Sequence, residues 1–183
     1  MSALYHTPDF RLVAVDPGLR GCGVALFKGG TLLRAAYVKN NAEGRGYNAH
    51  VGAANAVRLW LFPSPMIDEL VVEFPRVYPG SAQQKGDLND LLDVAGVGAA
   101  ISAAVRRSAR RCGSRVEHVF PSDWKGNVPK ETMTERIRRS LTDEERRAIE
   151  KCPASLMHNV LDACGIGLHK LGRLNKKVYP HAD

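Results

Sequence analysis

LVAVDPGLRGCGVAL, Leu12 to Leu26, is the stretch on which the reading of the chain turns. An apolar run, Leu12 to Val15, leads into Asp16, Pro17-Gly18 turns the chain, and Gly21 to Leu26 reads as a second strand doubling back. An apolar run without alternation marks a strand buried on both faces, so Asp16 stands at the end of a buried strand. A charge there is costly unless a cation or a donor meets it. A metal ion is one natural partner; the N–H groups of the turn itself are the other.

Working outward, Thr31 to Tyr37 alternates after the Gly29-Gly30 turn, so residues 11 to 38 read as a three-stranded antiparallel meander. Residues 47 to 62 place Val51, Ala54, Val57 and Leu61 at helical spacing, and Pro63-Ser64-Pro65 ends that helix. The next run, Asp68 to Phe74 (DELVVEF), is a short strand that a crossover helix would lay parallel to the first. Glu73 follows its apolar run as Asp16 follows its own, so the two acids are expected on the same rim of one sheet. The loop after it, Phe74-Pro75-Arg76-Val77-Tyr78, mixes aromatics with a cation, which suits stacking on unpaired bases, or packing of Phe74 and Tyr78 beneath the loop.

A long helix is expected from about Asp87 to Arg111, with small-sided residues from Ala95 to Ala104. Gly96 and Gly98 there cost about 1 kcal/mol each relative to alanine, which close approach of another backbone, in the domain or in a second subunit, would offset. Val116 to Phe120 reads as a fifth strand. Trp124 to Glu131 reads as a glycine-containing loop in which Lys125 and Lys130 can meet a backbone phosphate, with Pro129 well placed to start a helix over 130 to 140. Thr142-Asp143-Glu144-Glu145 has the form of a capping box opening another short helix. In a last helix, roughly Ala154 to Leu171, His158 or Asn159 can share a cation with Asp162, three to four residues on.

Composition bounds these readings. At 183 residues the chain is expected to form one domain, with a core over about 11 to 171 and a basic tail over 172 to 183. No apolar stretch is expected to reach the ~18 residues of a membrane span. MSALYHTPDFR does not resemble a signal peptide, which points to the cytoplasm. Cys22, Cys112, Cys152 and Cys164 form no CxxC pair and read as reduced, mostly buried thiols. Residues 1 to 105 hold nine Lys/Arg and nine Asp/Glu, whereas residues 106 to 183 hold seventeen and ten, so the net charge of +7 lies in the C-terminal part. That local basic surface fits a nucleic-acid partner, or a set of solvated helix faces with paired charges.

In this order, Asp16-Pro17-Gly18 on a first strand, a hairpin, Val71-Val72-Glu73, a small-residue helix, a fifth strand and a terminal helix bearing HNVLDA, the chain resembles the RuvC-type Holliday junction resolvases of the RNase H-like superfamily. The resemblance spans about residues 11 to 171 and suggests a bacteriophage or bacterial form. It implies an α/β, RNase H-like fold: a five-stranded mixed sheet, three strands in an antiparallel meander plus two parallel ones, flanked by helices. It also implies a homodimeric endodeoxyribonuclease that binds two Mg²⁺ ions per site, with Mn²⁺ as a substitute and no small-molecule cofactor. Such an enzyme cuts four-way junctions by paired symmetric nicks.

The positions matching the family's metal ligands are Asp16, Glu73 and Asp162. Where the family carries Asp or His three residues before the last acid, this chain has Asn159, with His158 one earlier. Imidazole is the better donor and can act as a base, so His158 is the expected fourth ligand and Asn159 the alternative. By the same resemblance Arg20, Arg76, Tyr78, Lys85, Lys125 and Lys130 are the expected DNA contacts, and the small-sided helix lies at or near the dimer interface. Rival readings are a nuclease acting on RNA or RNA–DNA hybrids, a catalytically silent junction-binding protein, and an actin-like phosphotransferase, for which the chain is too short.

Overall fold

Strand β1 (Arg11–Asp16) is central because its apolar run serves two cores at once. Leu12 and Ala14 point into one core, Val13 and Val15 into the other, and all four are wholly buried. This is what an unalternating run predicts. The computed structural model describes Tyr5 and residues 7–62, 66–76, 87–108 and 114–174. Among these, β1 is joined by β2 (Gly21–Lys28), β3 (Thr31–Lys39), β4 (Glu69–Glu73) and β5 (Arg115–Val119) in one sheet of order β3-β2-β1-β4-β5. The first three strands pair antiparallel, and β4 and β5 run parallel to β1. Gly29 and Gly30 both take positive φ, 55° and 84°, at the β2–β3 turn; the sheet is therefore the one expected.

Helices α1 (Tyr47–Leu61) and α2 (Leu88–Ser108) cover one face; α6 (Met157–Lys170) covers the other, with α3 (Pro121–Trp124), α4 (Lys130–Ser140) and α5 (Asp143–Arg147) around it. Both glycines of α2 serve contacts within the fold. A Cβ on Gly96 would stand 2.4 Å from the His50 ring of α1, and one on Gly98 would stand 2.8 Å from the Phe74 ring.

Contrary to expectation, α2 is long and apolar enough, by length and composition, to cross a membrane. It is docked on the sheet through the buried Val97, Ile101 and Val105, and Asp93 accepts a 3.0 Å hydrogen bond from His50. Leu88 and Leu92 are left exposed.

Some boundaries differ from the sequence reading by a residue or more. Strand β5 begins and ends one residue earlier than expected. Helix α6 starts at Met157, because residues 154–156 form a turn after Pro153. Ahead of the loop expected from Trp124, residues left unassigned in sequence form α3, whose start is held by Pro121 at the first turn and by Asp123, which accepts from the Phe120 N–H at 2.9 Å.

The Thr142 capping box forms as read: Thr142 Oγ1 accepts from Glu145 N at 3.2 Å, and Glu145 Oε2 accepts from Thr142 N at 2.9 Å. Glu145 is not on a solvated face, however. It is buried under a bidentate pair with Arg173, 2.6 and 2.7 Å, and takes the Leu32 N–H at 2.8 Å. Arg173 also donates to Gly30 O and Ser140 O, so the first residues after α6 are tied to the fold.

Candidate active site

Parallel pairing of β1 with β4 sets Val15 opposite Val72, which makes Asp16 and Glu73 the next residues on adjacent strands. The two-residue alternation puts Asp16 on the face of Ala14 and Glu73 on the face of Val71, and both of those side chains lie in the core beneath α6. Asp162 comes to the same place from α6, with His158 one turn before it.

The carboxylates perturb one another. Burial pushes the Asp16 carboxyl well above the usual range, and repulsion from Glu73 and Asp162 adds to this; Lys125 and Lys130 oppose it. Burial also raises Glu73, against the pull of Lys125 and of a hydrogen bond from Trp124. Asp162 is raised by burial against Lys125, His158 and Lys130. Acids driven upward together by burial and mutual charge are characteristic of catalytic and metal-binding sites.

Two neighbours on and after α3 hold the group together. Lys125 Nζ lies 3.4 Å from Glu73 Oε2 and 3.8 Å from Asp162 Oδ2, so an ammonium bridges β4 and α6. The buried Trp124 donates its Nε1–H to the same Glu73 oxygen at 2.5 Å. The ammonium also sits 4.7 Å from the centre of the Trp124 ring.

Bare glycines let α6 come this close. Gly23 pairs with Asp16 across β1–β2, and a Cβ on it would stand 1.9 Å from the carbonyl oxygen of Asn159. Farther along α6, a Cβ on Gly165 would stand 2.6 Å from the Trp124 ring, and one on Gly167 would stand 2.2 Å from Phe27.

Of the expected site residues, Asp16, Glu73, Asp162 and His158 are therefore brought together, and Lys125 and Lys130 act on the same acids. Asn159 has its main chain against Gly23. Arg20 is exposed on the β1–β2 turn near Tyr37, whose hydroxyl burial pushes upward while the Arg20 charge opposes the rise. Arg76 is exposed beside the site, 5.7 Å from the centre of the Phe120 ring and 3.4 Å from Ser122 Oγ. Phe74 stacks on His118 with ring centres 4.1 Å apart, so it packs under the loop. Tyr78 and Lys85 lie outside the described residues. The sequence reading missed Trp124 and Gly23; a tryptophan just before a lysine in a glycine-containing loop was the available signal for the first, and nothing local marks the second.

Among the described residues no three His, Cys, Asp or Glu side chains close on one point as a finished metal cage. The donor chemistry nonetheless fits a divalent ion. The donors are hard carboxylate oxygens from three elements, each raised by burial, and a cationic ammonium already stands between two of them.

No protein-family model matches the sequence, and no curated protein matches it. Solved structures do. RuvC of Thermus thermophilus in complex with a Holliday junction substrate is similar at TM-score 0.60 and 19% identity, over 87% of this chain and 91% of that one. A second Thermus thermophilus RuvC structure is similar at TM-score 0.56 and 18% identity, over 90% of this chain and 98% of that one. The yeast mitochondrial Holliday junction resolvase Ydc2 aligns at TM-score 0.48 and 9% identity, over 92% and 83%. With its five-stranded mixed sheet between two layers of helices, the chain has the RNase H-like fold in the form found in RuvC.

Proposed function

We propose that this protein is a structure-selective endodeoxyribonuclease that resolves four-way DNA junctions. The observation that carries the reading is the adjacency of Asp16 and Glu73 at the ends of two parallel strands with Asp162 facing them from α6, in a fold shared with RuvC over most of its length. Asp16, Glu73, Asp162 and His158, with Asn159 the alternative to His158, would hold two Mg²⁺ ions. When bound, such a pair supplies activation of the attacking water and stabilisation of the leaving oxygen. The protein's own part is placement: the sheet register fixes Asp16 beside Glu73, and α6 sets the distance of Asp162 from both. Lys125 and Lys130 supply positive charge where the scissile phosphate approaches, and Arg20 and Arg76 extend that surface along the DNA.

Paired nicks need two such sites. The exposed Leu88 and Leu92 on α2 offer an apolar face for a second copy of the chain, and sedimentation of the free protein tests the homodimer. The deciding experiment is cleavage of a labelled four-way junction with Mg²⁺, beside matched duplex, an RNA–DNA hybrid and the Asp16→Asn variant. Symmetric nicks lost in the variant are expected. Cutting of the hybrid alone would move the function to RNA-directed hydrolysis, and binding without cutting would make the protein a junction-binding module.

A further inference from the structure

Among the described residues, Glu73 is held through Oε2. Oε2 receives the Trp124 indole N–H at 2.5 Å and faces the Lys125 ammonium at 3.4 Å. Among the described residues no hydrogen bond or ion pair reaches Oε1. The indole cannot easily leave this position. Trp124 is buried, and its ring fills the space left by the missing side chain of Gly165, where a Cβ would stand 2.6 Å from it. Gly165 lies one turn beyond Asp162 on α6, so the same ring touches the helix that carries one acid and bonds the strand residue that supplies another.

This arrangement has a consequence for coordination chemistry. A carboxylate with one oxygen held by a fixed donor leaves a cation the other oxygen. Ca²⁺ takes six to eight oxygens, commonly with bidentate carboxylates, whereas Mg²⁺ needs an octahedral site and uses carboxylates one oxygen at a time. We infer that Trp124 is a positioning residue that restricts Glu73 to one-oxygen coordination through Oε1 and so makes the site discriminate for Mg²⁺ against Ca²⁺. The inference rests on the metal-site reading above and adds to it the residue that sets ion choice. Lys125 does not substitute for the indole, because a flexible ammonium at the solvent-facing edge of the cluster can swing away when a cation enters.

The test is direct binding, without catalysis. Mg²⁺ and Ca²⁺ are titrated calorimetrically into the wild-type protein and into Trp124→Phe, which keeps a ring against Gly165 and removes the donor. The expected result is that the Mg²⁺ affinity falls about tenfold or more while Ca²⁺ loses less or gains, so that the affinity ratio moves toward Ca²⁺. Wild-type and variant ratios that agree overturn the inference and leave the metal site standing. Wild-type protein that binds neither ion overturns the metal site itself, and the inference with it.

A second measurement needs no folded variant at position 124. The chain has two tryptophans, and the indole N–H of Trp60, bonded to Glu150 at 3.1 Å, serves as the internal reference in a nitrogen–proton correlation spectrum. The Trp124 indole proton is expected downfield, to stay there through Mg²⁺ saturation, and to move upfield in Glu73→Gln while Trp60 does not. Loss of the downfield position on adding Mg²⁺ would show that the indole releases Oε2 and would overturn the inference.

Discussion

Gly23 supports Asn159: a Cβ on this β2 residue would stand 1.9 Å from the Asn159 carbonyl oxygen, and Gly23 is also the register partner of Asp16. The point where α6 touches the sheet is thus directly across from the first of the three acids. The spacing between Asp16 and Asp162 depends on a missing methyl group.

Gly23→Ala is therefore expected to push α6 outward. Overpacking of this kind costs about 1–3 kcal/mol, read as a lower midpoint in thermal or urea unfolding. Displacement of a catalytic group by about 1 Å costs on the order of 100-fold in rate, so junction cleavage should fall by about that factor in protein that is still folded at the assay temperature.

The raised carboxyls give the metal-free protein an inverted pH dependence. Asp16, Glu73 and Asp162 all hold protons in the folded state at pH values where the unfolded chain has lost them. Stability therefore falls as pH rises from about 4 through their raised values, and stays lower above them. Asp16→Asn should flatten that slope in the presence of EDTA and raise the neutral-pH melting temperature by roughly 2–4 °C. An unchanged slope in the variant would show that Asp16 is not the strained group.

Glu145 acts in the opposite sense. Against the upward push of burial, hydrogen bonds from Arg173, Leu32 and Thr142 and the Arg173 charge hold its carboxyl down at about 2, below an ordinary value of 4.5. The stability it contributes is fully present above pH 4.5 and is lost as pH falls toward about 2. Glu145→Gln should cost about 3 kcal/mol at neutral pH by leaving Arg173 unpaired, and the difference from wild type should shrink in acid. Denaturant titrations at a series of pH values measure both.

Lys125 offsets part of the negative charge of Glu73 and Asp162. Lys125→Met should cost the metal-free protein up to about 1 kcal/mol of stability, read as a lower melting temperature, and should enlarge the stabilisation gained on adding Mn²⁺. An equal metal-induced shift in both proteins would mean that the ammonium does not share the acids' charge with the ion.

The fourth ligand is tested by a pair of variants. His158 stands one helical turn before Asp162, whose carboxyl burial raises against Lys125, His158 and Lys130, while the main chain of Asn159 is occupied on Gly23. His158→Ala should abolish junction cleavage and Asn159→Ala should leave it. The reverse pattern reassigns the ligand to Asn159.

Much of this architecture was legible in local pattern. The unalternating run Leu12 to Val15 announces a strand buried on both faces, the Gly29-Gly30 turn announces the hairpin, and an acid directly after each apolar run marks Asp16 and Glu73. The elements that escaped are short or depend on distant partners. Helix α3 spans only Pro121 to Trp124, too few residues to show a period. Glu145 reads as one acid among arginines until Arg173, distant in sequence, closes over it.

The sequence by itself determined the strands, the order of the acids along the chain and the excess of positive charge in its C-terminal part, because alternation, turns and charge are local or additive properties. Only the tertiary structure decided that Gly96 and Gly98 serve contacts within the fold, that Gly23 lets α6 bring Asp162 down to Asp16, and that Trp124 and Lys125 meet at one oxygen of Glu73. Those facts are distances between residues far apart in the chain. They are set by how closely two backbones can approach once side chains are absent, which no window of sequence contains.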